Sequence, residues 1–192
     1  MRTKFREAGF KEKFVIIVAA QILFLIVIAL SRFWIINTGE MVLLKTAPVD
    51  PRDMMMGDYV NLSYEISTLP DNIVHREQMT RKPQSGDRQQ IKRNKAVYVV
   101  LKTQGKYHVA SGAYLQKPAL KPGEVLIKGR CLYDWGEATS VFYGIERFYV
   151  PEGKGVEIEQ LPNQVDVQVK LSSGGNAVIH RVFVNGKELP FS

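Results

Sequence analysis

A chain of 192 residues, 45% hydrophobic and 23% charged, has the composition of a folded protein with room for one ordinary globular domain, which excludes a disordered or collagen-like polypeptide. Its single cysteine, Cys131, excludes an internal disulfide framework, so packing alone must hold that domain. The formal charge of +7 is unevenly placed: residues 1–36 carry six basic and two acidic groups, leaving 20 against 17 for the remainder, so the high charge is partly a topology signal and no nucleic-acid partner is expected.

In chain order, residues 1–13 form a basic tail with Arg2, Lys4, Arg6, Lys11 and Lys13 against Glu7 and Glu12. Residues 14–36 follow as a predicted transmembrane helix. From Phe14 to Ser31 no residue is charged, and the run through Ile36 reaches the ~20 residues that span a bilayer. A helix satisfies its own backbone hydrogen bonds in lipid, which a strand or loop exposed there cannot do. The positive-inside rule places the tail in the cytoplasm and sends residues 37–192 outward, giving a single-pass protein of a bacterial plasma membrane with an extracytoplasmic domain. Arg32 can snorkel to the headgroups, and Phe33 and Trp34 have the character of an interfacial belt. A cleavable signal peptide ending at Ser31 is the competing reading. Its apolar core would be longer than the usual 7–15 residues, and it too places the domain outside.

The remaining ~155 residues read as β structure. Residues 41–44 make a first short strand, and the prolines at 48 and 51 force extended or turned backbone in 46–53. Residues 57–66 alternate, with Val60, Leu62, Tyr64 and Ile66 on one side and Tyr59, Asn61, Ser63 and Glu65 on the other, which predicts one half-buried strand. Residues 70–94 interrupt the pattern as a basic insertion loop, or alternatively as an arm attracted to anionic lipid headgroups or an acidic partner. Residues 95–102 and 106–115 flank Thr103-Gln104-Gly105 as a hairpin, residues 124–133 follow a Pro-Gly turn, and residues 139–150 are a further strand. Residues 164–171 and 177–184 form a last hairpin around Ser172-Ser173-Gly174-Gly175-Asn176. About seven strands with regular turns predict an antiparallel β-sandwich or barrel-like domain behind one helix.

The sharpest local motif is Gly57-Asp58-Tyr59-Val60-Asn61-Leu62-Ser63-Tyr64, preceded by Asp50-Pro51-Arg52. Gly57 permits a tight entry to the strand, and Asp58 can accept backbone N–H bonds in that turn. The pattern Gly57-Asp58-Tyr59-x-x-Leu62-x-Tyr64 resembles the signature of the bacterial GDYXXLXY family. The preceding helix, the Asp50-Pro51-Arg52 lead-in, and the later Tyr143-Gly144-Ile145-Glu146 and Tyr149-Val150-Pro151-Glu152-Gly153 are similar to that family's layout. Met56 stands where the family often carries an arginine. The resemblance implies a membrane-anchored protein of unassigned molecular function, accompanied by or fused to a multi-span membrane protein. Membrane lipid, through residues 14–36, and such a multi-span protein are the expected partners.

Catalytic groupings are sparse. Met56-Gly57-Asp58-Tyr59-Val60 behind an anchor also resembles type I signal peptidases, but Val49-Asp50-Pro51-Arg52 offers no serine, threonine or cysteine where the nucleophile would stand. His75, His108 and His180 lack metal-ligand spacing, and Gly153-Lys154-Gly155 lacks the frame of a phosphate loop. No metal, cofactor or catalytic residue is therefore expected. Arg52, Asp58, Tyr59, Tyr64, Glu146 and Glu152 are the candidate binding residues of an accessory domain. The alternative is an envelope hydrolase using the carboxylates of Asp58 and Glu146, which requires the two to converge in a cleft. In a purely structural reading, the same carboxylates cap turns.

Overall fold

The computed structural model describes residues 9–47, 59–76, 90–149 and 165–189. It begins with helix α1 (Phe10–Thr38), 29 residues and the one described helix long and apolar enough to cross a membrane. Its large apolar side chains from Phe14 to Trp34 are exposed, and only near its end does Ile35 become buried against the following domain. Arg32 donates to Ala177 O at 3.5 Å from the same end. One residue, Gly39, separates α1 from strand β1 (Glu40–Ala47). Gly39 N donates to Ile35 O, and a Cβ at this position would lie 2.4 Å from Ile35 O and 3.0 Å from Leu171 O. Close approach of three backbones therefore demands glycine here, and it leaves no slack between helix and domain.

Beyond the helix the chain is β structure, as the alternation predicts. One sheet has the order β13 (Lys187–Glu188), β12 (Ala177–Val184), β11 (Val165–Leu171), β1 and β3 (Ser63–Tyr64). The other runs β4 (Thr68–Pro70), β9 (Ala138–Phe142), β8 (Glu124–Asp134), β6 (Ala96–Gln104), β7 (Tyr107–Tyr114) and β5 (Val74–His75). All pairings are antiparallel except β5 with β7. A single 3-10 turn, Glu65–Ser67, carries the chain from β3 on the edge of the first sheet to β4 on the edge of the second. The two sheets thus join along that side into a nearly closed, barrel-like shell.

The core lies between the sheets. Val42 and Leu44 of β1, Val97, Val99 and Leu101 of β6, Ile127 of β8 and Val167 and Val169 of β11 are almost completely buried. Each such aliphatic side chain contributes about 1.5–3 kcal/mol on leaving water. Cys131 also lies here, fully buried, its thiol directed at Ile91 O, and burial raises its pKa. That is the inert buried thiol expected of a lone cysteine.

Three contacts fix how the sheets are aligned. At one end, Lys106 Nζ and Tyr107 OH bond the Asp166 carboxylate at 2.9–3.0 Å. Midway, His108 Nδ1 accepts Leu43 N–H at 3.3 Å. At the other end, Lys117 Nζ donates to Ser173 O at 2.9 Å. β7 therefore runs in the same direction as β11, from the end remote from α1 toward the end where α1 enters.

Two predicted strands are divided. Residues 57–66 contribute β2 (Tyr59–Asn61) and β3 to different partners, and residues 139–150 contribute β9 and β10 (Arg147–Tyr149), separated by a turn. The predicted insertion loop is structured at both described flanks. Residues 70–76 complete β4, a 3-10 turn (Asp71–Ile73) and β5, and residues 90–95 pack along β8. Residues 77–89 lie outside the described residues.

Because Nδ1 of His108 accepts an N–H, it must be unprotonated. Burial, the first cause, pulls its pKa below 6.5, against the opposing influence of Glu40. The unfolded chain then binds a proton more readily, so stability is lost as pH falls through about 6.5. His180 is shifted in the same direction by burial, Lys170 and Arg181. The melting temperature should drop between pH 7.5 and 5.5, and by less in His108→Asn, which offers a non-titrating acceptor. An identical drop in that variant would show that the His108 contact contributes nothing.

Candidate functional site

The motif strand is built from its pairing outward. β2 lies antiparallel to β10 with Tyr59 opposite Tyr149, Val60 opposite Phe148 and Asn61 opposite Arg147. Leu62 N continues this ladder to Glu146 O at 2.7 Å. One residue later the strand changes partner: Ser63 pairs with Ala47 and Tyr64 with Thr46 of β1. Leu62 and Tyr64 are buried on one side, as period two requires, and Ile66 of the following 3-10 turn is buried with them.

Two tyrosines lock this crossing. Tyr64, 1% exposed, donates its hydroxyl to Ile145 O at 2.6 Å. Tyr143, 7% exposed, donates in the reverse direction to Ile66 O, also at 2.6 Å. Each phenol thus satisfies a carbonyl of the segment that carries the other phenol. Burial, with the nearby negative charge of Glu146, pushes both phenol pKa values upward. Both hydroxyls therefore stay protonated as donors.

Between these bonds lies the turn 143–146. Gly144 has φ +84°, a left-handed conformation that favours glycine. The Glu146 side chain folds back over the turn, one oxygen accepting Tyr143 N–H at 2.5 Å and the other Gly144 N–H at 2.7 Å. Burial raises the Glu146 pKa, while these backbone donors oppose the rise. Both oxygens are engaged, so Glu146 caps a turn. Tyr59 stands three residues up the strand from Leu62, ~10 Å of rise from the Glu146 pairing position.

The two segments joined here, 59–64 and 143–149, are those that carry the family resemblance. The GDYXXLXY protein family matches residues 21–182. The chain belongs to that family. No curated protein and no solved structure matches it. In this GDYXXLXY protein the final tyrosine of the motif and the glutamate of the later segment have fold-building roles. Neither Tyr64, buried in the core, nor Glu146, bound to its own turn, is presented as the contact residue expected from the sequence. Tyr59 is placed by its backbone pairing. Arg52, Asp58 and Glu152 lie outside the described residues.

A second cluster was not among the sequence candidates. Arg76 binds Asp71 Oδ1 through Nε at 3.1 Å and Nη2 at 2.8 Å, and grips both oxygens of Asp134 through Nη1 and Nη2. Asp134, whose side chain is 1% exposed, also accepts Ile91 N–H at 2.6 Å and Gly136 N–H at 3.0 Å. Burial alone would raise its pKa, but the Arg76 and backbone donors outweigh this and hold it below the usual aspartate value. The cluster pins residues 76 and 91, the flanks of the basic segment, to the end of β8. The available sequence signal was an Asp-x-Gly turn closing an alternating strand. His75 stacks on Tyr114 at 4.5 Å, and no metal-binding group of three ligating side chains occurs among the described residues.

Tyr64→Phe and Tyr143→Phe should each destabilise the protein by about 1–2 kcal/mol, because each leaves a buried carbonyl unsatisfied. Denaturant unfolding of the single and double variants checks this. Losses below about 0.5 kcal/mol in both single variants would deny the paired bonds a stabilising role.

Proposed function

We propose that the chain is a membrane-anchored extracytoplasmic binding or accessory domain that works with a multi-span membrane protein. The observation that carries this reading is α1, whose apolar side chains project exposed from Phe14 to Trp34 and which passes through one glycine into the β domain. Such a surface is stable in lipid and unfavourable in water. The basic tail supports a cytoplasmic N-terminus, with the domain at the outer face of a bacterial plasma membrane. Both oxygens of Glu146 are engaged by its own turn, which favours the binding reading over a hydrolase that relies on this carboxylate. In this reading Arg52, Asp58, Tyr59 and Glu152 are the residues left to contact the partner.

Tagged protein purified from its native membranes in mild detergent provides the test, with Asp58→Asn and Tyr59→Phe compared with wild type at unchanged folding. The wild type should bring down a multi-span protein in near-stoichiometric amount, and Asp58→Asn should reduce its recovery about tenfold, the effect of losing ~1.4 kcal/mol of binding. Isolation of the wild-type chain alone would overturn the accessory reading. Normal recovery by both variants would assign the motif wholly to the fold.

A further inference from the structure

The strand registers carry an orientation that reaches a surface outside the motif. β7 runs toward the end where α1 enters the domain, as its contacts with Asp166, Leu43 and Ser173 require. β6 is antiparallel to β7, and β8 is antiparallel to β6, with Glu124 opposite Lys102 and Arg130 opposite Ala96. β8 therefore also runs toward the α1 end. Lys128 N bonds Gly175 O at 2.8 Å, setting that point of β8 level with the β11–β12 loop beside the helix. The strand then continues to Asp134, roughly 15–20 Å farther in the same sense, before it turns.

The tip beyond that level is aromatic and basic. Tyr133 is 49% and Trp135 65% exposed, with their rings stacked at 5.7 Å. The Arg93 guanidinium lies 5.3 Å from the Tyr133 ring centroid. Lys92, Arg93 and Lys95 are all exposed on a turn held rigidly along β8. Asn94 N bonds Cys131 O at 2.7 Å, Cys131 N bonds Lys95 O at 2.9 Å, and Ile91 N bonds the buried Asp134 carboxylate. Glu137 is the exposed acid of the hairpin, so the tip keeps a positive balance among the described residues.

We infer that Tyr133 and Trp135, with Lys92, Arg93 and Lys95, form a second membrane contact, a foot that rests in the anionic headgroup layer of the bilayer α1 enters. This rests on α1 being the membrane anchor. Tryptophan and tyrosine favour the headgroup level because an apolar ring and a polar N–H or O–H are both satisfied there. Lysine and arginine beside them gain electrostatic attraction to anionic lipid. The one-residue junction at Gly39, in close backbone contact with Ile35 and Leu171, keeps the point where α1 enters close to this end of the domain. A protein partner would also accept exposed aromatics, but the pairing registers place this tip on the side of the domain from which α1 emerges.

The chain has two tryptophans, Trp34 and Trp135, so each can report alone. The full chain would be reconstituted as Trp34→Phe, leaving Trp135, and as Trp135→Phe, leaving Trp34. The bilayers would be phosphatidylcholine with and without phosphatidylglycerol, brominated near the top of the acyl chains. Trp135 fluorescence should fall about twofold in the anionic brominated bilayer, as expected for an interfacial ring, and less without phosphatidylglycerol. Lys92→Glu with Arg93→Glu should reduce that quenching. Quenching of Trp34 without quenching of Trp135 would overturn the inference and leave the anchor intact. Failure to quench either would overturn the anchor reading and the inference with it. Full Trp135 quenching in the charge-reversed variant would overturn the assignment to anionic headgroups.

Discussion

The crossing of two chain segments under a pair of reciprocal tyrosine bonds is the constraint on which the domain depends. Tyr64 reaches Ile145 O and Tyr143 reaches Ile66 O, so neither segment can move without stranding a buried polar group of the other. Between these bonds the motif strand leaves β10 for β1, and the following turn delivers the chain to the second sheet. The pair therefore fastens the small β2–β10 ladder and the edges of both large sheets at one point. The family signature reads as an architectural motif over the part described, since Leu62 and Tyr64 are buried and Leu62 N extends the ladder to Glu146.

A second set of restraints governs the end where the helix enters. Gly39 brings Ile35 O and Leu171 O into close approach, while Gly175, at φ +84°, docks the β11–β12 loop on β8. The Arg76–Asp71–Asp134 cluster closes the neighbouring end of the second sheet. A buried ion cluster of this kind is costly to desolvate, and the backbone donors of Ile91 and Gly136 offset part of that cost. The first of these three features ties the helix to the domain, and the other two fasten the strands and loops around that end. In the proposed topology, the membrane then fixes the orientation of the domain.

The strands with strong alternation and flanking glycine turns were legible residue by residue. β6, β7, β8, β11 and β12 fall within a few residues of their predicted limits, because side-chain periodicity and turn chemistry are local properties. The divided strands were not legible. Nothing in the alternation of residues 57–66 marks Leu62 as the position where the hydrogen-bonding partner changes, since burial continues on the same side across it. Likewise, Gly144 marks a break in 139–150, but the capping by Glu146 depends on how its side chain folds back over the turn. Residues 70–94 read as one basic loop because Arg76 looks like any other cation until Asp71 and Asp134 surround it.

By itself the sequence determined the apolar helix, the β class, the family and the absence of an internal disulfide, because each follows from composition, period two or a contiguous motif. Tertiary structure decided what the motif residues do. Tyr64 and Glu146 carry groups suited equally to binding, catalysis or internal hydrogen bonding, and their role is set by partners at 145, 66, 143 and 144. It also decided which surface shares the end of the domain with the helix. That follows from strand direction and register across two sheets, long-range pairings that no local pattern encodes.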